Sequence, residues 1–93
     1  MTARAVFEWD VAKAEVNLAK HGVRFEVATG VFDDPRHADF DASRVEDGEA
    51  RRKVVGMIQG RLLTVVYTMR GEVRRIISAR QSNAMEMRRY ADG

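Results

Sequence analysis

The sequence predicts an α+β fold: an antiparallel sheet with a three-stranded C-terminal meander, two N-terminal helices packed on one face, and a C-terminal helix. Three observations predict it. Between Arg51 and Arg80, the apolar runs VVGMI, LLTVVYT and VRRIISA are divided by the short turn signals QGR and RGE. β-Branched and aromatic residues dominate these runs, and Gly60 and Gly71 stand where tight hairpin turns need positive φ. Ahead of them, Val11, Ala14 and Leu18 recur at helical spacing; behind them, Ser82 or Asn83 can cap a helix carrying Met85, Arg88, Arg89 and Tyr90.

Taken in order, Ala5 to Trp9 alternates weakly and suits a short strand. Asp10 then reads as an N-cap, its carboxylate accepting a backbone N–H of the first turn. Val16 widens the apolar stripe, Lys20 and His21 suit the negative end of the helix dipole, and Gly22 supplies a left-handed terminus, so the first helix is expected over 10–21. Phe25, Ala28, Val31 and Phe32 predict a second, shorter helix over 24–32, ended by Asp33-Asp34-Pro35 because the residue before proline is pushed out of the helical region. A short strand is expected near 37–41 and a mobile loop at 42–49 before the meander. The last helix is expected over 82–91. Strict alternation along the third meander strand puts Arg75, Ile77 and Ala79 on one face and Arg74, Ile76, Ser78 and Arg80 on the other.

Ninety-three residues suit one domain spanning 1–93, and neither an internal repeat nor a linker interrupts it. There is no cysteine, so thiolate metal sites and disulfides are excluded. No apolar run approaches the ~20 residues that cross a bilayer, and MTARAVFEWD lacks the apolar core of a signal peptide, so a cytoplasmic protein with no membrane partner is expected. The net charge of +2 hides an asymmetry: residues 1–50 carry six basic and eleven acidic side chains, residues 51–93 ten and three. A basic half of this kind suits an anionic partner.

The chemistry on offer is narrow. The two histidines, His21 and His37, lack the usual ligand spacings, so neither a metal nor another cofactor is expected. There is no nucleophile elbow and no glycine-rich phosphate loop. What remains is a set of cations at the corners of the meander, with Tyr67 and Tyr90. Arginine grips phosphate through two parallel hydrogen bonds, and aromatic rings stack unpaired bases. These residues point to single-stranded nucleic-acid binding, with metal-free cleavage within reach. The plainer alternative is that the basic strand ends are solvated edges that discourage aggregation.

The segments FEWDVAKAEVNLAKHGVRFEVATGVFDDP, GRLLTVVYTMRG and RRIISAR, spanning nearly the whole chain, resemble the BrnT family of toxins from bacterial type II toxin–antitoxin systems. FEWD followed by Lys13, Asn17 and KHGV is one specific match, and RIISAR is a second. Gln81 and Met87 depart from it, standing where the family commonly has basic residues. The resemblance implies a RelE-like fold and a metal-independent endoribonuclease that inhibits translation. It also implies a BrnA-type ribbon-helix-helix antitoxin as partner, the complex binding its own operator DNA through the antitoxin. Cleavage by 2′-hydroxyl attack needs a proton acceptor, charge stabilisation and a proton donor. Arg51, Arg75 and Arg80 are assigned to the phosphate, Arg80 foremost, against the alternative that a carboxylate ties it to the last helix. Lys53 is a candidate base or charge stabiliser. Tyr67, Arg61, Arg70 and Tyr90 are the candidate substrate contacts. The alternative functions are a non-catalytic nucleic-acid-binding module and an antitoxin-binding module.

Overall fold

A computed structural model of the chain describes residues 6–92. The chain runs β1 (Val6–Glu8), α1 (Val11–His21), α2 (Phe25–Ala28), a 3-10 segment (Thr29–Asp33), β2 (Ala38–Asp41), a 3-10 turn (Val45–Asp47), β3 (Arg52–Ile58), β4 (Arg61–Arg70), β5 (Val73–Gln81) and α3 (Ala84–Asp92). The five strands form one mixed sheet in the order β1-β5-β4-β3-β2. β1 pairs parallel with β5, and every other pairing is antiparallel, so the meander is the centre of the sheet. Ala5, expected in the first strand, lies outside the described residues.

Local chemistry sets the element ends. Asp10 Oδ1 accepts from the Lys13 N–H at 3.1 Å, and Gly22 ends α1 at φ 70° with its N–H on the Leu18 carbonyl. The expected second helix survives as one α turn, then tightens into the 3-10 segment that carries Val31 and Phe32 onto the sheet. Its close approach needs Gly56: a Cβ there would lie 2.7 Å from the Val31 carbonyl oxygen. The expected loop at 42–49 contains the 3-10 turn Val45–Asp47.

One face of the sheet is apolar and covered. Phe25, Ala28 and Val31 pack with Val54, Leu63, Val65, Ile76 and Ala79, all buried, and Trp9 meets Phe25 edge-on at 5.8 Å. The buried Asn17 crosses from α1 to β5: its amide donates to the Ala79 carbonyl at 2.8 Å and accepts from the Ala79 N–H at 3.1 Å. The other face carries α3.

Strict alternation fails on β5. Tyr67 pairs with Ile76 but Val66 pairs with Ser78, so Ile77 is an extra residue, a β-bulge. Ile76 and Ala79, expected on opposite faces, therefore share the buried face. Arg75, Ser78 and Arg80, opposite Thr68, Val66 and Thr64, share the other. Period-2 reading cannot see an inserted residue, and this one decides where Arg80 points.

Candidate active site

The face away from the apolar core holds a cleft of about 560 Å³ whose lining includes Arg44, Asp47, Arg51, Lys53, Ser78 and Arg80. Three segments bring its cations together. Lys53 is the second residue of β3 and projects opposite to Val54. Arg80 arrives from β5 through the bulge. Arg51 is set by the loop before β3: Ser43 donates from its N–H and hydroxyl to Asp41 Oδ1 at 3.1 and 2.7 Å, and its Oγ accepts from the Arg51 N–H at 2.9 Å. Those bonds to Ser43 hold the Asp41 carboxyl below its ordinary value, so the clamp is ionised at neutral pH. Arg51 stands 3.6 Å from Asp47 and 3.8 Å from Glu49, too far for hydrogen bonds. Arg51 Nε and Asp47 Oδ2 are buried and have no hydrogen-bond partner among the described residues.

Glu86, fully buried on α3, organises the other two cations. Arg80 grips it with two bonds of 2.7 Å, Lys53 Nζ donates at 3.1 Å, and Thr64 Oγ1 donates at 3.0 Å. The Asn83 N–H adds a fourth donor at 2.9 Å while Asn83 Oδ1 caps the Glu86 N–H at 2.9 Å, a reciprocal capping box at the start of α3. Burial pushes the Glu86 carboxyl up, but the hydrogen bonds from Arg80, Asn83 and Lys53 outweigh it and bring the value to about 2. The same contact with Glu86 raises Arg80 above its ordinary value. Glu86 is thus a permanent anion at neutral pH. Arg80 spends one N–H on the Gln81 carbonyl at 3.2 Å as well. Its Nε–H and second Nη2–H have no protein partner among the described residues.

A cleft walled by cations from separate segments suits a phosphodiester. A family model described as a ribonuclease toxin, BrnT, of type II toxin–antitoxin systems matches residues 9–86. The chain belongs to the BrnT family. No curated protein matches it. Members of BrnT are ribonuclease toxins, so RNA is the family's substrate and an antitoxin its partner. The matched span begins at Trp9, packed on the core, and ends at Glu86, the anion under the cleft.

Not every residue expected in the site is there in this BrnT chain. Arg75 shares the face but sits further along β5, where its nearest carboxylate is Glu8 of β1 at 3.6 Å. Arg61 and Arg70 begin and end β4, at opposite ends of the sheet, and neither lines the cleft. Tyr67 lies on the opposite, covered face: it pairs with Ile76, meets Phe32 edge-on at 5.1 Å, and donates its hydroxyl to Asp39, which also binds Arg52 Nε at 2.7 Å. Burial, then Asp39, push the Tyr67 phenol up to about 12. Tyr90 is an α3 anchor, its hydroxyl donating to Asp34 Oδ2 at 2.7 Å. Asp34 also accepts from the Arg36 and Met57 N–H groups, which hold its carboxyl below the ordinary range. The carboxylate alternative for Arg80 is realised in Glu86, without removing Arg80 from the cleft. Arg44 and Asp47 were not singled out from the sequence; Glu86 stood out only as a match to the family's last helix, and the Asn83-to-Glu86 spacing was a further readable signal. Among the described residues no group of three or more His, Cys, Asp or Glu is placed to hold a metal, and no helix is long and apolar enough to cross a membrane.

Proposed function

We propose that the chain is a RelE-like, metal-independent endoribonuclease of the cytoplasm that cleaves RNA by 2′-hydroxyl attack and so inhibits translation. The observation that carries this reading is the meeting of Arg51, Lys53 and Arg80 at one cleft. A phosphate oxygen placed there accepts from these cations. The 2′-oxygen forms a bond to phosphorus as the bond to the 5′-oxygen breaks, leaving a 2′,3′-cyclic phosphate and a 5′-hydroxyl. Charge builds on the non-bridging oxygens, where Arg51 and Arg80 donate to it. Lys53 donates toward the departing 5′-oxygen. The 2′-hydroxyl proton passes to Asp47, the carboxylate beside Arg51 in the lining of the cleft.

Glu86 has a positioning role. It fixes Arg80 and Lys53 before substrate arrives, so neither loses much freedom when phosphate binds. In the cell, a BrnA-type ribbon-helix-helix antitoxin holds the toxin inactive, and the complex binds its own operator through the antitoxin.

The test is incubation of a labelled RNA with purified protein in excess EDTA, with analysis of the product ends. Cleavage that persists, leaving cyclic phosphate and 5′-hydroxyl termini, is expected. Cleavage that stops with EDTA and returns with a divalent metal, or products with 5′-phosphates, would overturn the mechanism.

A further inference from the structure

The β5 bulge does more than turn Arg80 into the cleft. Ile77 and Ser78, the residues at the bulge, line the cleft and also line a second, shallower groove of about 320 Å³ between β5 and α1. The two hollows therefore meet at these two residues of β5. From α1 this groove receives Lys13, Val16 and Lys20, which fall on one side of the helix at spacings of three and four residues, with His21 at its end. Val16 is 65% exposed and offers an apolar surface to this groove. Among the described residues neither Lys13 nor Lys20 pairs with a carboxylate. Seven residues of helix separate the lysines by about 10 Å along its axis.

An apolar floor rimmed by unpaired cations is what a single nucleic-acid strand requires: backbone on the cations, base or ribose against the floor. An antitoxin segment would need the same groove filled by acidic and apolar side chains. The shared Ile77 and Ser78 favour RNA, because a strand whose scissile phosphate sits between Arg51 and Arg80 has to leave the cleft, and these two residues border both hollows.

We infer that the α1–β5 groove is a second RNA subsite, which takes nucleotides flanking the cleaved phosphate, with Lys13 and Lys20 on backbone phosphates and Val16 and Ile77 against a base. This inference rests on the ribonuclease reading of the cleft for its geometry, but it is measured separately. The protein is the full chain carrying Lys13→Glu and Lys20→Glu, exposed positions whose change leaves the core intact; Lys13→Gln with Lys20→Gln serves as a milder second variant. The probe is a fluorescently labelled, unstructured RNA of about 15 nucleotides, read by anisotropy as salt is varied. The expected result is at least tenfold weaker binding by the Glu variant, and a salt slope reduced by about 1.4, the counterion release of two single-strand phosphates. KM for cleavage of that RNA rises, while cleavage of a dinucleotide, which spans the cleft alone, is unchanged. Unaltered RNA affinity and slope in both variants overturns the subsite. So does unaltered RNA binding with loss of the antitoxin complex, which would make the groove a protein interface. If wild-type protein cleaves neither RNA yet the variants lose binding as expected, the cleft reading fails and the subsite stands.

Discussion

The two faces of the sheet each set an acid against a base, to different ends. On the covered face Asp39 sits at the rim of an apolar core, accepting from Tyr67 and from Arg52, whose side chain is 42% exposed. Removing that cluster would leave Phe25, Val54, Leu63 and Val65 still packed. On the other face little apolar packing holds α3, and its place is fixed by the fully buried Glu86, by Tyr90 on Asp34, and by Arg89 stacked 4.2 Å over Phe40. One face is held by hydrophobic burial with polar trim; the other is held by charge. A face held by charge can present cations to a substrate, because its structural anion lies beneath them.

That contrast can be broken most severely at Glu86. Glu86→Ala leaves Arg80 and Lys53 facing each other with no anion between them and should cost about 3 kcal/mol or more, read by urea unfolding. A loss under 1 kcal/mol would mean that α3 is held otherwise.

Next is Gly56→Ala, which tests the covered face. The new Cβ would fall 2.7 Å from the Val31 carbonyl, so the 3-10 segment must move, at about 1–3 kcal/mol in the same assay.

The pH dependence sharpens the comparison. The folded Glu86 carboxyl lies at about 2 against an ordinary 4.5, so the unfolded chain binds the proton more readily than the native one. The resulting stability is fully present above 4.5 and drains away as pH falls from there toward about 2. In Glu86→Gln protein, thermal melts across that window should show a weaker acid dependence than wild type; parallel curves would contradict the assignment.

The smallest effect is Tyr67→Phe. It removes one hydroxyl from Asp39, on the face away from the cleft, and should cost about 1 kcal/mol while leaving RNA cleavage intact. A large loss of cleavage would move the active site.

Much of this was readable from residues. Asp10 and Gly22 bracket α1 because capping chemistry is local. Gly60 and Gly71 mark the hairpins, at φ 80° and 62°, because positive φ is a property of the residue. The RIISAR match drew attention to Arg80, and the fold places it in one cleft with Arg51 and Lys53. The rest depended on register. Nothing in VRRIISAR announces that Ile77 is extra, yet it decides which side chains share a face. Tyr67 stood open between a half-buried core ring and a substrate contact, because alternation alone does not say which face is covered. The role of Glu86, visible only as a family match, was hidden for a different reason: it is one acid in a basic half, and only the fold brings β3, β4, β5 and α3 around it.

The central claim is that cations from separate segments act on one phosphate, and Arg51→Ala tests it most directly. Arg51 is not bound to Glu86, so its removal spares the network under α3. Single-turnover cleavage of a labelled RNA in EDTA should fall about 10²-fold or more in this variant, with the thermal midpoint near that of wild type. Wild-type cleavage rates in folded Arg51→Ala protein would contradict the account.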